Sequence, residues 1–146
     1  MLVDKFIGTW KLISGEFRSS NGKISYPWGE ELEGQLIYTA DGNMAAQIMD
    51  PDRPDFAAKD HMNGTDEEIR TAFEGYQAYY GTYTLNEKER TITHYVKGSI
   101  FPNLIGHNLK RFYKFSDNRL TLSTPSMRMG GETVTGILIW KRMQPG

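Results

Sequence analysis

At 146 residues with no cysteine, the chain is long enough to bury a core as one domain, residues 1–146, and neither disulfide nor thiolate chemistry is open to it. Its 17 basic and 18 acidic residues leave a net charge of −1, which gives no electrostatic footprint for nucleic acid. No apolar run approaches the length of a membrane span, and the start Met1-Leu2-Val3-Asp4-Lys5-Phe6 lacks the apolar stretch of a secretion signal, so the chain reads as cytoplasmic.

Residues 4–7 read as a short turn of helix at one end of the fold. A long first strand then runs to about Ser19, and at period 2 it puts Trp10, Leu12, Ser14 and Glu16 on one face. If Trp10 points inward, Ser14 and Glu16 follow it. Asn21-Gly22 signals a turn, and Tyr26-Pro27-Trp28-Gly29 is too broken for a central strand, so 24–33 is read as a loop over a barrel mouth with Trp28 as its lid residue. Residues 34–39 form the next strand with Leu36 and Tyr38 in phase. After the hairpin at Asp41-Gly42, residues 44–49 form another, with Met44, Ala46 and Ile48 inward.

Two prolines, Pro51 and Pro54, end that strand. Thr65-Asp66-Glu67-Glu68 is a capping box, and Ile69, Ala72, Phe73 and Tyr76 recur behind it at helical spacing. The pattern predicts one helix from 66 to about 78, laid as a cap over the barrel end. Strands follow at 79–85, 91–98, 107–115, 119–124 and 132 to about 143, with 101–106 breaking the chain at a rim and Gly130-Gly131 in a reversing loop. Pairing the first strand with the last gives an all-β, antiparallel up-and-down barrel of eight strands with one inserted helix.

Alternation also sorts the polar groups. Lys110 and Lys114 share one face of their strand and belong in water, so Arg111 points inward with Tyr113 and Phe115; Lys97 by the same argument turns His94 inward. The polar interior so assembled implies a pocket lined by Glu16, Tyr38, Met44, Tyr83, His94, Arg111 and Tyr113. His94 is either satisfied by a neighbouring Tyr or Thr hydroxyl or free to act chemically, and Arg111 is paired either with Glu16 or with a ligand anion. The three histidines are scattered and no zinc site is expected; phosphate-loop, dinucleotide and serine-elbow motifs are missing, and Asn63-Gly64-Thr65 matches a glycosylation acceptor only by accident. The expected function is binding of a small, largely apolar molecule that carries a polar or acidic group, with no cofactor, nucleic acid or membrane partner. The alternatives are an isomerase, cyclase or hydrolase using His94 as acid or base and Arg111 as oxyanion donor, and a haem barrel with one axial histidine.

Five stretches carry a resemblance to a known group: Gly8-Thr9-Trp10-Lys11-Leu12, the run from Gly34 to Gly42, Tyr79-Tyr80-Gly81-Thr82-Tyr83, Thr93-His94-Tyr95-Val96 and Ile139-Trp140-Lys141-Arg142. In this order they resemble the lipocalin and wider calycin barrels, and in particular the lipocalin-like domain proteins of bacteria and fungi. The resemblance implies an eight-stranded barrel with a small-molecule pocket, and a basic side chain, Arg142 or Arg111, stacked across Trp10. The chain departs from secreted lipocalins in having no cysteine pair and no signal peptide, so their extracellular carrier role is not implied.

Overall fold

The computed structural model describes residues 1–144. A short helix α1 (Val3–Phe6) leads into β1 (Gly8–Ser19), followed by β2 (Ile24–Ser25), β3 (Glu33–Tyr38), β4 (Asn43–Met49), helix α2 (Asp66–Glu74), β5 (Tyr76–Asn86), β6 (Thr91–Ser99), β7 (Asn108–Ser116), β8 (Arg119–Ser123), β9 (Met127–Met129) and β10 (Glu132–Arg142). Eight antiparallel strands form the barrel in the order β1-β3-β4-β5-β6-β7-β8-β10, and β10 pairs back onto β1. The short β2 and β9 add to β1 and β10 at the mouth, in stretches read from sequence as loops.

One end is plugged. Phe6, fully buried, sets its ring edge-on to Tyr38, Tyr113 and Phe115 at centroid distances of 5.7, 5.0 and 4.9 Å. The Trp10 indole N–H donates to the Phe6 carbonyl at 2.9 Å, which fixes α1 to the first strand. The Arg142 guanidinium lies 4.3 Å from the Trp10 ring centroid, donates to the Ile7 carbonyl at 2.7 Å and also reaches the Lys5 carbonyl. Arg142, not Arg111, is thus the cation over Trp10. Gly8 makes room for it: its φ of +131° suits glycine, and a Cβ there would sit 2.9 Å from Arg142 Nη1.

The strand pattern breaks once inside β1. Leu12 pairs with Trp140 and Ser14 with Ile139, so Ile13 is an extra residue and the alternation changes phase. Trp10 and Leu12 face the core before the bulge, and Gly15 and Phe17 after it. Glu16 is therefore turned outward, where its carboxylate meets Arg18 Nη2 at 2.6 Å. This corrects the inward placement of Glu16 and removes it as a partner for Arg111.

Helix α2 begins as expected, with the Thr65 hydroxyl accepting from the Glu68 amide at 3.1 Å and the Glu68 carboxylate accepting from the Thr65 amide at 2.8 Å. It stops at Glu74, because Tyr76 is drawn into β5 opposite Met49. None of its residues is buried, and Ile69 and Phe73 are 51% and 43% exposed. The helix packs beside its preceding segment and β5, outside the barrel, and is not a cap on it.

Candidate functional site

The barrel encloses a cavity of about 420 Å³ that opens at the end opposite Phe6. Its walls are apolar side chains from most of the strands, Leu36, Ala46, Ile48, Leu122 and Leu138 among them. Trp28, placed over the mouth, packs edge-on against Phe17 at 5.2 Å; Phe101 and Leu104, flanking and within the 3-10 turn Pro102–Leu104, line the other side of the entrance. A wider open depression of about 780 Å³ lies between segment 53–62 and α2, on the outside of the barrel. Two buried groups with shifted titration, His94 and Tyr79, line the enclosed cavity, and the chemistry is sought there.

The polar wall is built by three neighbouring strands and one across the barrel. His94 on β6, 1% exposed, has both ring nitrogens occupied: Tyr38 Oη lies 2.6 Å from Nε2 and Tyr79 Oη lies 2.7 Å from Nδ1. Burial, with Arg111 adding to it, lowers the His94 pKa to about 3, so the ring is neutral at physiological pH. Burial likewise raises the Tyr79 hydroxyl, against the opposing charge of Arg111, and raises Tyr38 well above the ordinary phenol range. Both phenols keep their protons.

Arg111 points inward as the alternation requires, and it lines the cavity beside Tyr79 and His94. Its Nη1 donates to the Lys110 carbonyl at 3.1 Å, its guanidinium acts on the neighbouring Tyr79 hydroxyl, and among the described residues no carboxylate reaches it. The lining contains three basic residues, Lys110, Arg111 and Arg128, and no Asp or Glu. Its inner wall holds a further donor, Trp140, whose indole N–H is buried without a partner among the described residues.

The expected site residues thus divide. His94 and Arg111 line the cavity; Tyr38 stands behind His94 in the packed layer. Met44, Tyr83 and Tyr113 belong to the core toward the plugged end, with the Tyr83 hydroxyl donating to the Thr39 carbonyl at 2.7 Å, and Glu16 is outside. Sequence reasoning missed Tyr79, although its two-residue steps to Gly81 and Tyr83 put it on their inward face, and it missed Trp140 and Arg128 as lining residues. With both nitrogens engaged, His94 has no free atom for acid–base work on a ligand, and an axial bond to haem iron would have to displace a tyrosine. Among the described residues no group of His, Asp or Glu side chains is arranged to hold a metal ion, and no helix is long and apolar enough to cross a membrane.

The chain is similar to the 4'-hydroxy-3'-methoxypropiophenone carrier protein of Aspergillus oryzae (strain ATCC 42149 / RIB 40): 31% of residues are identical over 107 positions, which cover 68% of this chain and 96% of the relative. The family model described as the lipocalin-like domain matches residues 7–143, from the last turn before β1 to just beyond β10. With that match and its closed eight-stranded barrel, the chain belongs to the lipocalin-like domain family.

Proposed function

We propose that this protein binds a small, largely apolar molecule bearing a polar or acidic group, held inside the barrel with that group against Tyr79 and Arg111. The observation that carries this reading is an inward arginine with no carboxylate partner among the described residues, set in a largely apolar cavity of about 420 Å³. An unpaired guanidinium facing such walls is costly unless water or a ligand acceptor satisfies it. The carrier among its relatives supports the same class of role, and the cargo in that carrier's name, an aryl ketone with a phenol and a methoxy group, is of a size and polarity that suits these walls. Binding without turnover is favoured because the histidine that would serve as acid or base is neutral and fully engaged. The compartment proposed is the cytoplasm.

The test is a titration of the protein with 4'-hydroxy-3'-methoxypropiophenone, followed by tryptophan fluorescence. Trp28 and Trp140 line the cavity, so an occupied site should quench them with saturation at one ligand per chain. Arg111→Met should weaken binding of this probe while leaving a neutral apolar naphthalene dye bound. Equal loss for both would make Arg111 structural.

A further inference from the structure

The hydrogen-bond inventory around His94 has only one consistent solution, and it decides which protons face the ligand. A neutral imidazole carries one N–H and one bare nitrogen. Tyr38 is 1% exposed, and among the described residues its hydroxyl has no partner other than His94 Nε2. Were Nε2 protonated, Tyr38 would have to accept, and its own O–H would be buried without an acceptor. Tyr38 therefore donates to Nε2, the ring proton sits on Nδ1, and Nδ1–H donates to Tyr79 Oη. The Tyr79 O–H is left over. It finds no acceptor among the described residues, and Tyr79 lines the cavity.

Beside it stands Arg111, which can only donate, and the inner wall adds the unpartnered indole N–H of Trp140. The cations of the lining, Arg111 on β7, Lys110 next to it and Arg128 on β9, meet no carboxylate of that lining; Lys110 is tied to Glu89 outside at 3.0 Å, and Arg128 to the Gly131 carbonyl at 2.9 Å. The titratable groups facing the site from other elements are His94 on β6 and the phenols Tyr38 on β3 and Tyr79 on β5. All of them are in their uncharged forms.

We propose that the Tyr38–His94–Tyr79 relay turns the Tyr79 proton toward the cavity beside Arg111, a corner of donors only, so that the cavity selects its ligand as an oxyanion, a phenolate or ionised enol held by the Tyr79 hydroxyl and Arg111, over the neutral acid. This rests on the binding reading above and names the protonation state that the site takes. A neutral phenol placed against Tyr79 and Arg111 would bring a further O–H to two groups that both donate, and the lining's acceptors, on Gln77, Asn108, Thr124 and Ser126, belong to other side chains. When the acid binds, its proton is released to solvent, and the O–H···O⁻ bond from Tyr79 and the N–H···O⁻ bond from Arg111 form in its place. Tyr38 and His94 act as positioning residues, which never touch the ligand but fix where the Tyr79 proton points.

Two measurements test this. The para-acyl phenol 4'-hydroxy-3'-methoxypropiophenone absorbs at longer wavelength when ionised, so its ionisation midpoint can be followed by absorbance, free and bound to the intact protein. We expect the bound midpoint to fall by about one pH unit or more, a roughly tenfold preference for the anion. Arg111→Met should abolish the fall, Tyr79→Phe should reduce it, and the methyl ether of the same phenol should bind at least about tenfold more weakly. Saturable quenching with an unshifted or raised midpoint would overturn the oxyanion proposal while leaving the binding reading intact; failure of both phenol and ether to bind would remove both. Nitrogen NMR of His94 in the ligand-free protein reads the tautomer directly. A proton on Nδ1 supports the relay, and a proton on Nε2 overturns it.

Discussion

His94 is kept neutral by its surroundings, and in acid that works against the folded state. Its pKa of about 3 in the fold compares with 6.5 for an unperturbed side chain. Above about pH 6.5 the ring is neutral whether the chain is folded or not; below it the unfolded chain takes up a proton that the folded chain refuses, so stability declines until about pH 3. Between about pH 7.5 and 4.5 this one group should cost about 2 to 3 kcal/mol. Denaturant unfolding of the wild type and His94→Gln across that range should show the steeper loss in the wild type; parallel curves would mean that His94 is protonated in the fold. At the plugged end, Trp10 is 1% exposed and holds both α1 and Arg142, so Trp10→Ala should cost about 3–5 kcal/mol. A loss under about 1 kcal/mol in the same titration would contradict its place in the core. At this scale, alternation was a good guide wherever the strand is regular: it turned Tyr38, Met44, His94 and Arg111 inward. It failed at Glu16 because the extra residue at Ile13 shifts the phase, and nothing in Ile13-Ser14-Gly15 announces a bulge when read alone.

Helix α2 shows how an element can be well specified locally and contribute little globally. Both reciprocal bonds of its capping box are made, yet none of its residues is buried. Hydrogen exchange should therefore find its amides less protected than those of β7 and β8, which lie within the barrel ladder. Thr65→Ala should loosen the helix by about 1 kcal/mol and leave the global unfolding midpoint nearly unchanged. Equal protection in helix and strands would show α2 to be part of the cooperative core. The strands were legible because each carries its own period and is bounded by turn residues. The far end of α2 was not: Tyr76 continues the helical stripe from Phe73 but also pairs with Met49, and the sheet edge offered by β4 decides the matter. The same kind of competition hid the site. Tyr79 and Tyr80 are adjacent tyrosines on β5; alternation with Tyr83 separates the inward first from the 58% exposed second, but that Tyr79 reaches His94 follows only from the folded barrel, since the ladder pairs His94 with Tyr83.

For the whole molecule, a chain of net charge −1 encloses a cavity that receives the charge of Arg111 and has no carboxylate in its lining. Such a separation of charge is invisible in composition. A ligand seated there should stabilise the fold by mass action, by about 2.7 kcal/mol at a hundred times its dissociation constant, and differential scanning calorimetry with the phenolic probe should register a rise in Tm that its methyl ether does not match. The closure of the barrel has a further consequence, in time. Trp10 on the first barrel strand pairs with Arg142 on the last, 132 positions on, and the intervening strands are joined neighbour to neighbour. On a ribosome, β1 emerges early and can pair with β3, but its other edge has no partner until β10 has been synthesised. The growing chain thus carries an open strand edge for almost the whole of its synthesis, and the slow step of folding should be the docking of β10, which seals the barrel and brings the Arg142 clamp over Trp10 in a single event.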